Sequence, residues 1–179
     1  MGIRTRYIVA AFVNLFTMPV KKMFSYNNFH FCLPELVSPR AKIQIDNGGN
    51  MILGRKCNIK AGTFIAVLPR GNLVIGENVF INRDCKIVVR DTICINDGVN
   101  IGPNCLLYDH DHDKHNIGGY ISKPITIGKN TWIGANVIIL KGVTIGDNCT
   151  IAAGSVVNKD VPSNSIMYQR RDTVIKPIQ

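Results

Sequence analysis

No apolar run in this chain is long enough to cross a bilayer. A spanning helix needs about 20 apolar residues, and the most apolar stretch, Tyr7 to Phe16, has ten. No clear small-residue cleavage site follows it, which argues against a secretory signal. The six cysteines include no Cys-x-x-Cys pair, so a zinc knuckle or a dithiol redox motif is not expected. No Gly-x-Ser-x-Gly elbow is present, so the usual setting of a nucleophilic serine is missing. Histidine is scarce: there are four, and none between residues 31 and 109. Aromatic residues make up 7% and concentrate before residue 32, although the formal charge is +9. A nucleic-acid surface would interleave its cations with aromatics that stack on bases. Here the two are separated, so nucleic acid is not an expected partner. The charge fits an anionic small molecule or an anionic lipid surface better.

What the chain has in abundance is a six-residue beat. From Ile127 it reads IGKNTW IGANVI ILKGVT IGDNCT IAAGSV VNKDVP. The first position is aliphatic at Ile127, Ile133, Ile139, Ile145, Ile151 and Val157, and the fifth is small or β-branched from Thr131 to Val161. Upstream the beat returns at Leu53, Ile59 and Ile65, at Ile75, Ile81 and Ile87, and at Ile95, Ile101 and Leu107. A short fixed period marks a repeat architecture. Six does not fit a helical period of about 3.6, and the Val, Ile and Thr content favours strand. A short strand and a turn, repeated every six residues, make a coil whose first positions stack inward. Gly and Asn recur near the corners, as turns with unusual backbone angles require. A β-sandwich would need more residues between turns. Cys57, Cys85, Cys105 and Cys149 all occupy fifth positions. They are expected to be reduced, buried wall residues, in keeping with a reducing cytosol.

This pattern resembles the hexapeptide-repeat acyltransferases over roughly residues 43–162. The resemblance implies an all-β fold, a left-handed parallel β-helix with three hexapeptides per triangular coil. Its hand comes from the resemblance alone, since general crossover rules favour the right. The expected organisation is an N-terminal apolar and basic extension over 1–40, the β-helix over 41–162, and a tail over 163–179. The extension reads as a helix packed on the coil or on a neighbouring subunit. A weak membrane-surface anchor is its functional alternative.

The beat breaks once conspicuously, between Leu107 and Ile127, where a polar segment holds His110, His112 and His115. This protruding loop is placed at 109–125. Insertions in solenoids usually project from one face and carry binding function. In the resembling galactoside and maltose O-acetyltransferases a loop histidine is the general base, at a fixed distance after a turn such as Gly102-Pro103-Asn104. The count lands on His112. A sugar hydroxyl must lose its proton to attack, and neutral imidazole is suited to take it. Asp111, Asp113 or a backbone carbonyl would hold the ring's tautomer. The family usually has Pro after this His. The Asp-His-Asp-His-Asp run here looks more like the polysaccharide O-acetyltransferases and leaves His110 as a rival base.

The same resemblance assigns Asn82, in IGENVFIN, to the acceptor or the oxyanion, against the plain reading of a corner Asn. Arg83 and Asp84 sit beside it as further candidates to face the acceptor, and Tyr120 and Lys123, where the chain leaves the loop, are candidates to line the cleft. Downstream it assigns an acetyl-CoA groove to Trp132, Gly134, Ala152, Ala153, Gly154 and Lys159. Trp132 is the only tryptophan and occupies an outward sixth position. The family's closing segment is absent, so Arg170 or Arg171 is the candidate for the cofactor's 3′-phosphate. Ser155 faces inward, so transfer is expected to be direct, without an acyl-serine. The resemblance further implies a homotrimer with sites between subunits, a sugar or glycan acceptor, and no metal. The expected location is cytoplasmic, peripheral at the inner face of the membrane. Alternatives are an N-acetyltransferase of an amino sugar, a γ-class carbonic-anhydrase-like metal protein, and a non-catalytic scaffold. The carbonic anhydrase pattern needs an upstream His that the repeat lacks.

Overall fold

A computed structural model describes residues 29–31 and 36–170. The N-terminal extension, read above as a helix or an anchor, lies almost wholly outside the described residues, as does Arg171. The described residues form a parallel β-solenoid with three long sheets. Sheet 1 has six strands, sheet 2 seven and sheet 3 six, and in each the neighbours are successive turns of the chain. The coil therefore turns six times and begins a seventh, where Val161 bridges to Ile145 and Ile166–Met167 joins sheet 2. No helix occurs among the described residues.

The register is the sequence beat made spatial. On sheet 2 the first positions Ile59, Ile81, Ile101, Ile133 and Ile151 lie directly over one another. On sheet 3 the column is Ile65, Ile87, Leu107, Ile139 and Val157. On sheet 1 it is Leu53, Ile75, Ile95, Ile127 and Ile145. All of these side chains are 0–1% exposed, so one continuous apolar rod runs the length of the molecule. Each coil covers only its neighbours, which is how a repeat fold completes a core at modest length.

The corners explain the rest of the hexapeptide. Position four takes the left-handed backbone conformation, with φ between 54° and 60° at Lys56, Asn78, Asp84, Asn104, Asn130, Asn136, Asn148 and Asn164. Asn suits this region better than other non-glycine residues. Position two often holds Gly for a different reason. A Cβ on Gly102 would lie 2.7 Å from the carbonyl carbon of Gly134 in the next coil. Position five holds the small wall residue, and Cys57, Cys85, Cys105 and Cys149 are buried there, as the register predicts.

Candidate active site

The break in the beat is a two-stranded antiparallel arm. His110–His112 pairs with Tyr120–Ser122, and the arm leaves the corner between sheets 3 and 1. The loop expected over 109–125 is slightly shorter than placed. Asp109 and Ile125 are both fully buried and belong to the coil. In a strand, alternate residues share a face. His110 and His112 therefore share one face with their cross-strand partners Ser122 and Tyr120, while Asp111 shares the other with Ile121.

Tyr120 is the centre of the histidine face. Its ring lies 4.8 Å from that of His112 and 5.7 Å from that of His110, edge-on in the second case. Tyr108 flanks His110 at 6.0 Å. The Arg90 guanidinium stacks on the Tyr120 ring, with Cζ 3.5 Å from the centroid.

Asp109 anchors this group from inside. Its carboxylate accepts hydrogen bonds from the backbone N–H of Arg90 at 2.9 Å and 3.1 Å and of Asp91 at 2.8 Å. It also meets His110 Nδ1 at 2.9 Å. A carboxylate only accepts, so Nδ1 carries the proton, and Nε2 of the neutral ring keeps its lone pair. The His110 side chain is only 11% exposed, whereas His112 is exposed. The acids expected to hold His112 are engaged elsewhere. Asp111 pairs with Lys141, and Asp113 accepts from the N–H of His115 at 2.9 Å. The reason is strand alternation: Asp111 faces away from His112. Asp109 was not picked out from the sequence, where it reads as one more acid in a polar run.

The other residues named from the sequence gather on a different corner. Asn82, Gly102, Gly134 and Ala152 follow Ile81, Ile101, Ile133 and Ile151, so they stack along the corner between sheets 2 and 3. Ala153, Gly154 and Arg170 continue this ridge. The Asn82 carboxamide oxygen accepts from the Arg83 N–H at 2.8 Å, so it caps its own turn. The N–H groups of Ala135 and Ala153 have no protein partner among the described residues. Trp132 stands at the edge of this ridge, on sheet 2, and is 59% exposed. Lys159 does not join it; it sits at the corner between sheets 3 and 1. Ser155 is buried, with 2% exposure. One chain thus brings the histidines together and the ridge residues together, but puts the two groups on different corners.

Residues 124–159 match the family described as bacterial transferase hexapeptide (six repeats). The chain is 46% identical over 99 residues to a galactoside O-acetyltransferase of Escherichia coli K12, covering 53% of this chain and 49% of that one. It thus spans about half the length of the curated relatives it matches. A maltose O-acetyltransferase from Clostridium difficile 630 superposes with TM-score 0.52 at 28% identity, over 91% of this chain and 77% of that one. A hexapeptide-repeat acetyltransferase from Vibrio cholerae O1 biovar eltor, solved with acetyl-CoA, gives 0.55 at 26%, over 92% and 82%. The chain is a hexapeptide-repeat β-solenoid whose sequence and fold resemble those of hexapeptide-repeat acetyltransferases.

Proposed function

We propose that the protein transfers an acetyl group from acetyl-CoA to a hydroxyl of a sugar or glycan. The observation that carries this reading is the pair of histidines presented on one face of the arm. They are accompanied, on another corner, by a ridge of small residues with two backbone amides that have no protein partner among the described residues. Acetyl-CoA would lie along that ridge. The N–H groups of Ala135 and Ala153 would take up amide oxygens of its pantetheine arm, and Gly134 and Ala152 let the backbone be approached. Trp132 would wall the groove, and Arg170 or Arg171 would meet the 3′-phosphate.

In the transfer step, an arm histidine takes the acceptor hydroxyl's proton while the oxygen attacks the thioester carbonyl carbon. The oxyanion is held by backbone or Asn82 donors. The C–S bond then breaks, and the CoA thiolate recovers the proton from the imidazolium. His112 is the first reading for the base, on its exposure and its place after Gly102-Pro103-Asn104. One observation favours His110 instead: Asp109 fixes its tautomer and leaves Nε2 free to accept.

Because the histidines and Asn82 stand on different corners, a complete site needs two copies of the chain. We propose a homotrimer with one site at each subunit boundary. The acceptor is proposed to be a polysaccharide or its precursor, and the protein to work in the cytoplasm, peripheral at the membrane's inner face. An amino group in place of the hydroxyl would use the same base and is the second reading of the acceptor.

Mixing inactive subunits tests the reading. Asn82→Ala and His112→Ala proteins, unfolded and refolded together at equal amounts, should regain about one quarter of the wild-type sites by random assembly of symmetric trimers. A mixture no more active than its components would refute the shared site.

A further inference from the structure

Among the described residues, Arg90 is a cation left without an anion at the mouth of the histidine face. It enters none of the four ion pairs among the described residues. Its Nε is buried with no hydrogen-bond partner. Its two terminal nitrogens make no hydrogen bond among the described residues and are not fully buried. The guanidinium lies over the Tyr120 ring, the same ring that His110 and His112 pack against. It is therefore held beside the candidate base, with its donor fork still unused.

Three of the acids near it are already committed, and the neighbouring Asp91 accepts from the Thr92 hydroxyl at 3.3 Å. Asp109 is spent on three N–H donors, two of them the backbone amides of Arg90 and Asp91. Asp111 is paired with Lys141, and Asp113 caps a turn of the arm. A planar guanidinium stacked on an aromatic face is pre-organised for bidentate capture of a carboxylate or phosphate. A residue needed only to clamp the arm would be served by packing alone, without an open charged fork.

We propose that Arg90 reads an anionic substituent on the acceptor, so that the substrate is an acidic glycan carrying a carboxylate or phosphate near the acetylated hydroxyl. The proposal rests on the acetyltransferase reading, but its test does not need turnover.

The test is ligand-observed NMR titration of the full chain with matched methyl glycosides: a neutral hexoside, the corresponding uronide, and the corresponding hexose phosphate. The wild type should bind one of the two anionic ligands about 10- to 100-fold more tightly than the neutral one, the range expected for hydrogen bonds to a charged group. The uronide and phosphate arms identify which anion is read. Arg90→Gln should erase the preference, and Arg90→Lys should keep part of it. A general loosening of the arm would instead weaken all three ligands alike. Equal binding of the three by the wild type, or a preference that survives Arg90→Gln, overturns the proposal. Acetyl transfer to the same ligands, followed by CoA release, is scored separately. Its failure would count against the acetyltransferase reading and not against the anion preference.

Discussion

The buried carboxylate of Asp109 meets His110 Nδ1 at 2.9 Å and ties the root of the arm to the preceding coil through the amides of Arg90 and Asp91. One side chain thereby fixes both where the arm leaves the solenoid and how one of its imidazoles is turned. Asp109→Asn keeps the shape but trades a carboxylate for a neutral amide, whose NH2 must face donors. The change should destabilise the protein by about 1–3 kcal/mol, the usual cost of leaving buried partners unpaired. Urea unfolding measures it. An unchanged midpoint, with unchanged hydrogen exchange at Arg90 and Asp91, would show that Asp109 does not anchor the arm.

Gly and Asn at the corners should respond differently to substitution, because they are there for different reasons. Gly102→Ala forces a Cβ against the Gly134 backbone at 2.7 Å and should cost about 1–3 kcal/mol, as overpacking does. Asn104→Gly keeps a residue at ease at φ 58° and should be nearly neutral. Thermal unfolding of the two variants checks the pair. A reversed order would mean that the corner geometry is wrong.

The stacked fold was legible in the sequence because its period is short and its first and fifth positions have opposite demands. The Gly and Asn recurrence was legible too, but not that one residue serves close approach and the other a left-handed turn. The arm announced itself as a gap in the beat. Its pairing did not, since Asp-His-Asp-His-Asp carries no apolar alternation from which to read a register. Asp109 escaped notice because its backbone partners are 18 and 19 residues away, a separation set by the length of a coil. Laying each coil over the next would have put it above Arg90 and Asp91. The separation of Asn82 from the arm, on different corners of one chain, is a relation that no linear motif displays.

The cysteines test the interior. The neighbouring Cys105 first, and burial second, push the Cys85 thiol far above its ordinary value. Cys57, Cys105 and Cys149 are buried alongside it. Cys85 therefore stays neutral as pH rises through the usual thiol range, and burial alone should keep all four from a thiol reagent until the protein unfolds. Cys94 is partly exposed, and burial raises its thiol as well, so it should react slowly. Fast native labelling of Cys85 or Cys105, located by peptide mass spectrometry, would contradict the register.

Trp132 is the only tryptophan and is 59% exposed, so its fluorescence reports on the ridge directly. Acetyl-CoA should change that emission with a saturable titration. Trp132→Ala should weaken acetyl-CoA binding, measured calorimetrically, while leaving the unfolding free energy within about 0.5 kcal/mol of wild type, as surface substitutions do. Emission indifferent to acetyl-CoA would remove Trp132 from the cofactor groove.

The most direct measurement is acceptor-dependent release of CoA thiol from acetyl-CoA by the wild type, His112→Ala and His110→Ala under one set of conditions. The wild type should release thiol only when an acceptor is present. His112→Ala should fall by about two to four orders of magnitude with its fold intact, the contribution typical of a general base. Loss in His110→Ala with His112→Ala still active would move the base to the histidine that Asp109 holds. Full activity in both variants, or no acceptor-dependent release by the wild type, would contradict acetyl transfer by a histidine of the arm.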